Sequence, residues 1–79
     1  MKLTVSALRL ALSTNIKRIR KEKGISQEKL ALKADVDRSY MSEVERNLAN
    51  PSIEALVKIA NALDVTPSEL LELKKRVIK

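Results

Sequence analysis

Apolar side chains recur every three or four residues along most of this 79-residue chain, and no segment alternates convincingly at period two. Side chains at that spacing share one face of an α-helix, so the pattern predicts helices rather than strands. The first apolar stripe consists of Val5, Leu8, Leu12, Ile16 and Ile19. We expect its helix to end near Lys23, because Gly24 readily adopts the left-handed conformation found after helices.

A second and a third short helix are predicted between residues 26 and 47. Ser26 is a favourable N-cap for the second helix and Asp37 for the third, which runs to about Arg46. Asn47 can take the left-handed conformation after that third helix. The residues expected to pack inward are Leu30, Ala31 and Ala34 of the second helix, and Met41, Val44 and Leu48 of the third.

Two more helices complete the predicted fold. Ser52 caps a fourth helix, whose apolar stripe is Ile53, Leu56, Val57, Ala60 and Leu63. Thr66 and Glu69 form a capping box around Pro67, which begins a fifth helix over about residues 67–77. We therefore predict one all-α domain over residues 1–79, a compact five-helix globule. The shortest connections flank the second helix, which predicts a helix-turn-helix formed by helices 2 and 3.

The third helix divides into two faces, and the outward face is polar. Its members are Arg38, Ser39, Ser42, Glu43 and Arg46, with Tyr40 and Asn47 at the border. Arginine, hydroxyl and carboxylate groups on one exposed helix face can read base edges or contact phosphate. An ordinary solvated face would have the same composition, so this helix alone leaves both interpretations open.

Charge distribution favours a polyanionic partner. The formal net charge is +6, and residues 1–23 alone hold seven Lys or Arg against Glu22. Such a basic segment, which includes Lys17, suits nucleic acid or an anionic membrane, although a merely solvating surface has the same composition. Gln27 opens the second helix, where free backbone N–H groups favour a phosphate.

One ion pair is predicted at the margin of the core. Arg20 lies beside the apolar stripe of the first helix, and Glu45 lies beside the apolar face of the third. An unpaired charge at such a margin costs several kcal/mol, so we predict that the two side chains pair and join these helices.

Several classes of protein fit the composition poorly. The chain has no His and no Cys, so the usual general base, metal ligands and disulfides are missing. We expect neither an enzyme nor a metal, cofactor or small-molecule site. No segment has the ~20 apolar residues needed to cross a bilayer. We expect nucleic acid rather than a membrane as the partner, and a cytoplasmic location is the default.

The chain contains four short motifs in order: Gly24-Ile-Ser-Gln-Glu-Lys-Leu-Ala, Tyr40-Met-Ser-Glu-Val-Glu-Arg-Asn, Asn50-Pro-Ser and Leu63-Asp-Val. Together they resemble the phage-repressor/Cro-type helix-turn-helix proteins, the XRE family. The resemblance covers about residues 12–72 and implies a lambda-repressor-like DNA-binding domain. Within that family, the third helix is most similar to the controller proteins of restriction–modification systems. Those are small homodimers that regulate their own gene and the endonuclease gene.

The resemblance also implies roles for individual residues. The family's base-reading positions correspond to Arg38, Ser39, Tyr40, Ser42 and Glu43. Its positions that contact the DNA backbone correspond to Gln27, Arg46 and Asn47. The basic first helix adds Lys17 as a further phosphate contact. Arg20 and Glu45 correspond to the family's internal ion pair. Glu43 would repel phosphate unless it met a cytosine amino group.

These observations predict a sequence-specific transcriptional regulator that binds a palindromic operator as a homodimer. The resemblance further implies an autoregulatory controller of a restriction–modification system. The apolar residues expected at the dimer interface are Leu73, Val77, Ile78 and Val65, with Leu3 as a further candidate. RNA polymerase is a further possible partner. The alternatives are another small repressor, an antitoxin, or a protein–protein adaptor with the same fold.

Overall fold

The computed structural model describes residues 2–73, which form five helices and no strand. The helices are α1 (Val5–Glu22), α2 (Gln27–Ala34), α3 (Arg38–Glu45), α4 (Ile53–Leu63) and α5 (Pro67–Leu70). The predicted all-α class and the order of the helices are confirmed. None of the helices in this part of the chain is long and apolar enough to cross a membrane.

Side-chain caps begin these helices largely as the sequence predicts. Ser26 Oγ accepts from the backbone N–H of Lys29 at 3.0 Å, and Ser52 Oγ accepts from that of Ala55 at 3.1 Å. At α5, Thr66 Oγ1 accepts from the Glu69 N–H, and Glu69 Oε1 accepts from the Thr66 N–H. The bond from the Thr66 N–H lowers the pKa of Glu69, because it stabilises the carboxylate.

Four residues with positive φ terminate helices or follow their last turn. Gly24 (φ 69°) and Asn47 (φ 63°) adopt the left-handed conformation as predicted. Asp35 (φ 56°) and Asp64 (φ 59°) do the same after α2 and α4, which the sequence analysis missed. Aspartate adopts the left-handed backbone conformation more readily than most other residues. An aspartate directly after an apolar stripe could therefore have indicated these two helix ends.

The core is a single aliphatic cluster built by all five helices. α2 packs against α3 and α4, while α1 packs against α3 and α5. The largest fully buried side chains are Ile16, Leu30, Met41, Ile59, Leu63, Leu70 and Val44. Ile59 was absent from the predicted stripe of α4, yet it lies at the centre of that helix's buried face.

Four residues expected in the core are exposed instead. Val5 and Ile53 are 72% and 77% exposed, because each is the first residue of its helix and lies beyond the edge of the core. Val57 lies on the flank of the α4 face that Leu56 and Ile59 bury, and is 41% exposed. Leu48 is 63% exposed, because the left-handed Asn47 turns the chain away from α3 before it.

The fifth helix is also shorter than predicted. It ends at Leu70, and residues 71–73 continue without helical structure. Asn15 Nδ2 donates to the carbonyl oxygens of Leu70 and Glu72, both at 2.8 Å, so a side chain of α1 satisfies carbonyl groups at this end. The predicted interface residues Val77 and Ile78 lie outside the described residues.

Candidate nucleic-acid interface

A tight turn joins α2 to α3 and gives the two helices the helix-turn-helix arrangement. Asp35 ends α2 in the left-handed conformation, and the N–H of Val36 donates to the carbonyl of Ala31 at 3.0 Å. The Asp37 carbonyl then accepts from the N–H of Met41 at 2.9 Å, which begins α3. Val36 packs against the core, so the turn is anchored from inside.

The face of α3 opposite the core is available to a partner. Arg38, Ser39, Glu43 and Arg46 are exposed, and Ser42 is half-buried. Tyr40 is half-buried as well and packs against the core, so only part of its ring can reach a ligand. The structure therefore brings the predicted base-reading residues onto one surface, with Arg38 in the first turn.

The start of α3 contains a contact that the sequence did not predict. Asp37 occupies the N-cap position, but its carboxylate accepts a hydrogen bond from Ser39 Oγ instead of capping the helix backbone. This bond lowers the pKa of Asp37, because the hydroxyl stabilises the ionised carboxylate. With its hydrogen engaged, the Ser39 hydroxyl can only accept from a ligand, which suits a base amino group.

A buried ion pair holds α1 against α3. Arg20 Nε and its Nη2 donate to the two carboxylate oxygens of Glu45 at 2.6 and 2.9 Å, a bidentate arrangement. The Glu45 side chain is only 3% exposed and that of Arg20 12%. The hydrogen bond to Glu45 raises the pKa of Arg20. The structure thus brings together the two charges that the sequence paired.

Two further contacts extend this ion pair to α2 and to the turn before it. Arg20 Nη1 donates to the Ile25 carbonyl at 3.0 Å, and Gln27 Nε2 donates to Glu45 Oε1 at 3.2 Å. Gln27, predicted to contact phosphate, therefore has one amide hydrogen engaged and one remaining. Among residues 2–73, every buried side-chain polar atom has a hydrogen-bond partner.

A second arginine, which the sequence analysis counted only as charge, contacts the loop after α3. Arg9 Nε donates to Asn47 Oδ1 and Arg9 Nη1 donates to Asn50 Oδ1, both at 3.0 Å. No local pattern in the sequence indicated these contacts, since they join residues 38 and 41 positions apart.

The remaining basic residues of α1 lie on its surface. Lys17 and Lys21 are exposed and share one helix face, since they are four residues apart. Arg18 is 51% exposed and pairs with Glu22 at 3.3 Å. Within residues 2–73, no His, Cys, Asp and Glu cluster could hold a metal ion.

An apolar groove of about 210 Å³ opens at the other end of α1. It is lined mainly by Val5, Leu8, Pro51, Ile53 and Leu71. Of the predicted interface residues, Leu73 is 43% exposed and Leu3 56%, whereas Val65 is half-buried and packs against the core.

Fold and surface together define a helix-turn-helix protein of the nucleic-acid-binding type. The helix-turn-helix family model matches residues 16–70, well over half of the chain. The chain therefore belongs to the helix-turn-helix family, and its predicted resemblance to XRE-type regulators is confirmed.

Among curated proteins, the chain is 53% identical over 60 residues to the transcriptional regulator SinR of Bacillus subtilis, covering 75% of this chain and 54% of SinR. It is 41% identical over 66 residues to the control protein C.BamHI of Bacillus amyloliquefaciens, covering 82% of each. The chain thus spans about half the length of SinR but most of C.BamHI.

Solved structures point to the same group of proteins. The restriction–modification controller protein C.AhdI of Aeromonas hydrophila superposes with a TM-score of 0.76 at 40% identity, covering 78% of this chain and 94% of C.AhdI. SinR in complex with DNA superposes with a TM-score of 0.74 at 50% identity, covering 77% of this chain and 98% of that chain.

Proposed function

We propose that this protein is a transcriptional regulator that binds a specific DNA sequence through α3. The observation that carries the proposal is the exposed polar face of α3, which the buried Arg20–Glu45 pair fixes relative to the cationic helix α1. A rigidly mounted helix can place its side chains in the major groove, while nearby cations contact phosphates.

Roles within this surface follow from position and chemistry. Arg38, in the first turn of α3, suits a guanine edge, and Ser39, Tyr40 and Ser42 suit neighbouring bases. Glu43 is exposed and suits a cytosine amino group. The proposed phosphate contacts are Lys17, Arg46, Asn47 and the remaining amide hydrogen of Gln27.

A relative with the same fold has been solved bound to DNA, which supports the proposal. SinR, with 50% identity in the superposed domain, has been solved in complex with DNA. The alignments with C.BamHI and C.AhdI cover most of this chain and most of each controller protein. On this basis we propose that the protein is the controller of a restriction–modification system and regulates its own gene. We also propose that it acts in the cytoplasm. If it activates transcription, it would contact RNA polymerase.

We further propose a homodimer on a palindromic site. One α3 reads only a few base pairs, and two copies about 34 Å apart would double the length of the site. The groove beside Val5 and Ile53, together with exposed Leu3 and Leu73, offers apolar surface for a second copy. Val65 contributes less than the sequence suggested, because the core covers part of it. Val77 and Ile78 remain predicted interface residues.

Selection from a randomised duplex library tests DNA recognition directly. We expect the wild-type protein to enrich one palindromic sequence and to bind it with an affinity that falls steeply as salt rises. Enrichment of no sequence would contradict a sequence-specific regulator and favour an adaptor. A non-palindromic, monomer-bound sequence would favour another small repressor type.

Sedimentation of Ile53→Ser tests the dimer. Ile53 is already 77% exposed, so its replacement should weaken self-association with little loss of monomer stability. Leu32→Ser is the matched control, since Leu32 is 81% exposed on α2 and does not line the groove. Equal effects of both variants on association would exclude the groove from the interface, and a wild type that stays monomeric on DNA would contradict the dimer.

A further inference from the structure

Arg9 connects α1 to the loop that follows α3, at the edge of the proposed DNA surface. Its guanidinium donates from Nε to Asn47 Oδ1 and from Nη1 to Asn50 Oδ1, both at 3.0 Å. Arg9 is itself half-buried, and it also borders the apolar groove. The contact joins residues 38 and 41 positions apart in sequence, so only the tertiary fold creates it.

These two bonds determine which way both asparagine amides face. In a carboxamide the oxygen and the nitrogen lie on opposite sides of the same carbon, so an oxygen held by Arg9 turns the NH2 group away from it. Among residues 2–73, neither Asn47 Nδ2 nor Asn50 Nδ2 donates a hydrogen bond to protein. Each asparagine therefore has an amide NH2 group left to donate to an acceptor outside the chain.

The backbone reinforces this arrangement. Asn47 has φ 63°, and its N–H donates to the Val44 carbonyl at 3.2 Å, which ends α3. Exposed Leu48 contributes no core packing to the loop, although its N–H donates to the Glu43 carbonyl at 2.8 Å. Arg9 thus supplies side-chain hydrogen bonds between this loop and α1.

We propose that Arg9 is a positioning residue for DNA binding: it holds Asn47 and Asn50 by their side-chain oxygens and so leaves their amide NH2 groups oriented to donate to backbone phosphates beside α3. A phosphate oxygen accepts hydrogen bonds only, so donor groups oriented in advance gain affinity without the cost of ordering them on binding. The positive charge of Arg9 next to the amides strengthens the attraction. This inference rests on the proposed DNA-binding function and adds a residue to its site.

Affinity measurements on the duplex selected by the wild-type protein test the inference. We expect Arg9→Ala to weaken binding about 10- to 100-fold, within the usual range for losing hydrogen bonds that involve a charged group. Arg9→Lys keeps the charge but has a single nitrogen, so it should restore less than half of the lost affinity on a logarithmic scale. Arg18→Ala, which removes the same charge from an exposed site on α1, should cost less than about 2-fold.

Coupling to Asn47 separates positioning from direct contact. Asn47→Gly keeps the left-handed backbone and removes only the side chain, so it should weaken wild-type binding. In the Arg9→Ala background the same change should cost less than about 2-fold, because the amide is no longer oriented. The nitrogen–proton NMR signals of the Asn47 side-chain amide should shift on DNA addition in wild type and respond far less in Arg9→Lys.

Each other outcome decides against the inference. Equal losses in Arg9→Ala and Arg18→Ala, with wild-type affinity in Arg9→Lys, would show that only charge matters. Additive effects of Arg9→Ala and Asn47→Gly would show two independent contacts. A wild-type protein that enriches no duplex would contradict the DNA-binding proposal itself and this inference with it, whereas the first two results would leave DNA binding intact.

Discussion

Removal of the Glu45 carboxylate should destabilise this protein more than any single surface change. In Glu45→Ala, the Arg20 guanidinium keeps its bond to the Ile25 carbonyl but loses both bonds to a carboxylate that is 3% exposed. Breaking a buried ion pair by removing one partner costs about 3–5 kcal/mol. Gln27 Nε2 also loses its acceptor, which adds to the cost.

The expected size of the effect is large relative to the total stability. A domain of this length has a free energy of unfolding of roughly 4–12 kcal/mol at typical per-residue values. One kcal/mol shifts the Tm of such a small domain by roughly 4–8 °C, so a loss of about 3 kcal/mol lowers it by roughly 12–24 °C. Urea unfolding at 25 °C, followed by circular dichroism, measures the same loss independently of temperature.

The exposed Arg18–Glu22 pair provides the matched control. Its atoms lie 3.3 Å apart and its side chains are 51% and 61% exposed, so Glu22→Ala should cost no more than about 0.5 kcal/mol. The double variant Arg20→Ala/Glu45→Ala should lose less than the sum of the two single variants by at least about 1 kcal/mol, since it leaves no lone charge. Strict additivity, or a Glu45→Ala variant as stable as Glu22→Ala, would refute the reasoning.

Three further predictions concern base reading, pH and backbone strain. Arg38→Ala should weaken binding to the selected duplex by about 1–3 kcal/mol and relax the preference at one base pair, whereas an equal loss on random DNA would exclude a base contact. Glu69→Gln should be less stable than wild type at pH 7, and this difference in stability should disappear as pH falls through the folded-state pKa of Glu69. Because folding lowers that pKa, the carboxylate stabilises the fold above its unfolded pKa and no longer does so in acid. Thermal melts from pH 7 to pH 3 measure the difference, which would not change with pH if the capping bond contributed nothing. Gly24→Ala should lower the free energy of unfolding by about 1 kcal/mol through the positive φ alone, because a Cβ there would meet nothing within 4 Å. Gly24→Asn should lower it less, as measured by urea unfolding. A much larger loss of stability in both variants would indicate a clash.

Much of the local structure follows from the sequence alone, because it depends on neighbours in the chain. The spacing of Leu12, Ile16 and Ile19 predicts a helix face, and Ser26 and Ser52 mark helix starts by the bonds they can make within one turn. The family resemblance covers the same part of the chain, and the roles predicted for residues of α3 came from that resemblance.

Helix ends and partly buried positions were less predictable. The stripe of α4 contains Ile53 and Val57, whose exposure depends on where neighbouring helices stop, and only packing decides that. Likewise α5 has a sequence able to continue as helix, yet Asn15 of α1 takes up carbonyl groups at its end.

Among the polar contacts, the sequence indicated the Arg20–Glu45 pair, because each charge lies beside an apolar stripe and needs a partner. It did not indicate that Gln27 completes that network or that Arg9 orients two asparagines of the α3–α4 loop. The reason is physical: apolar periodicity and capping act over three or four residues, whereas these hydrogen bonds join residues 18 to 41 positions apart. Only the packing of α1 and α2 against α3 brings such groups within bonding distance.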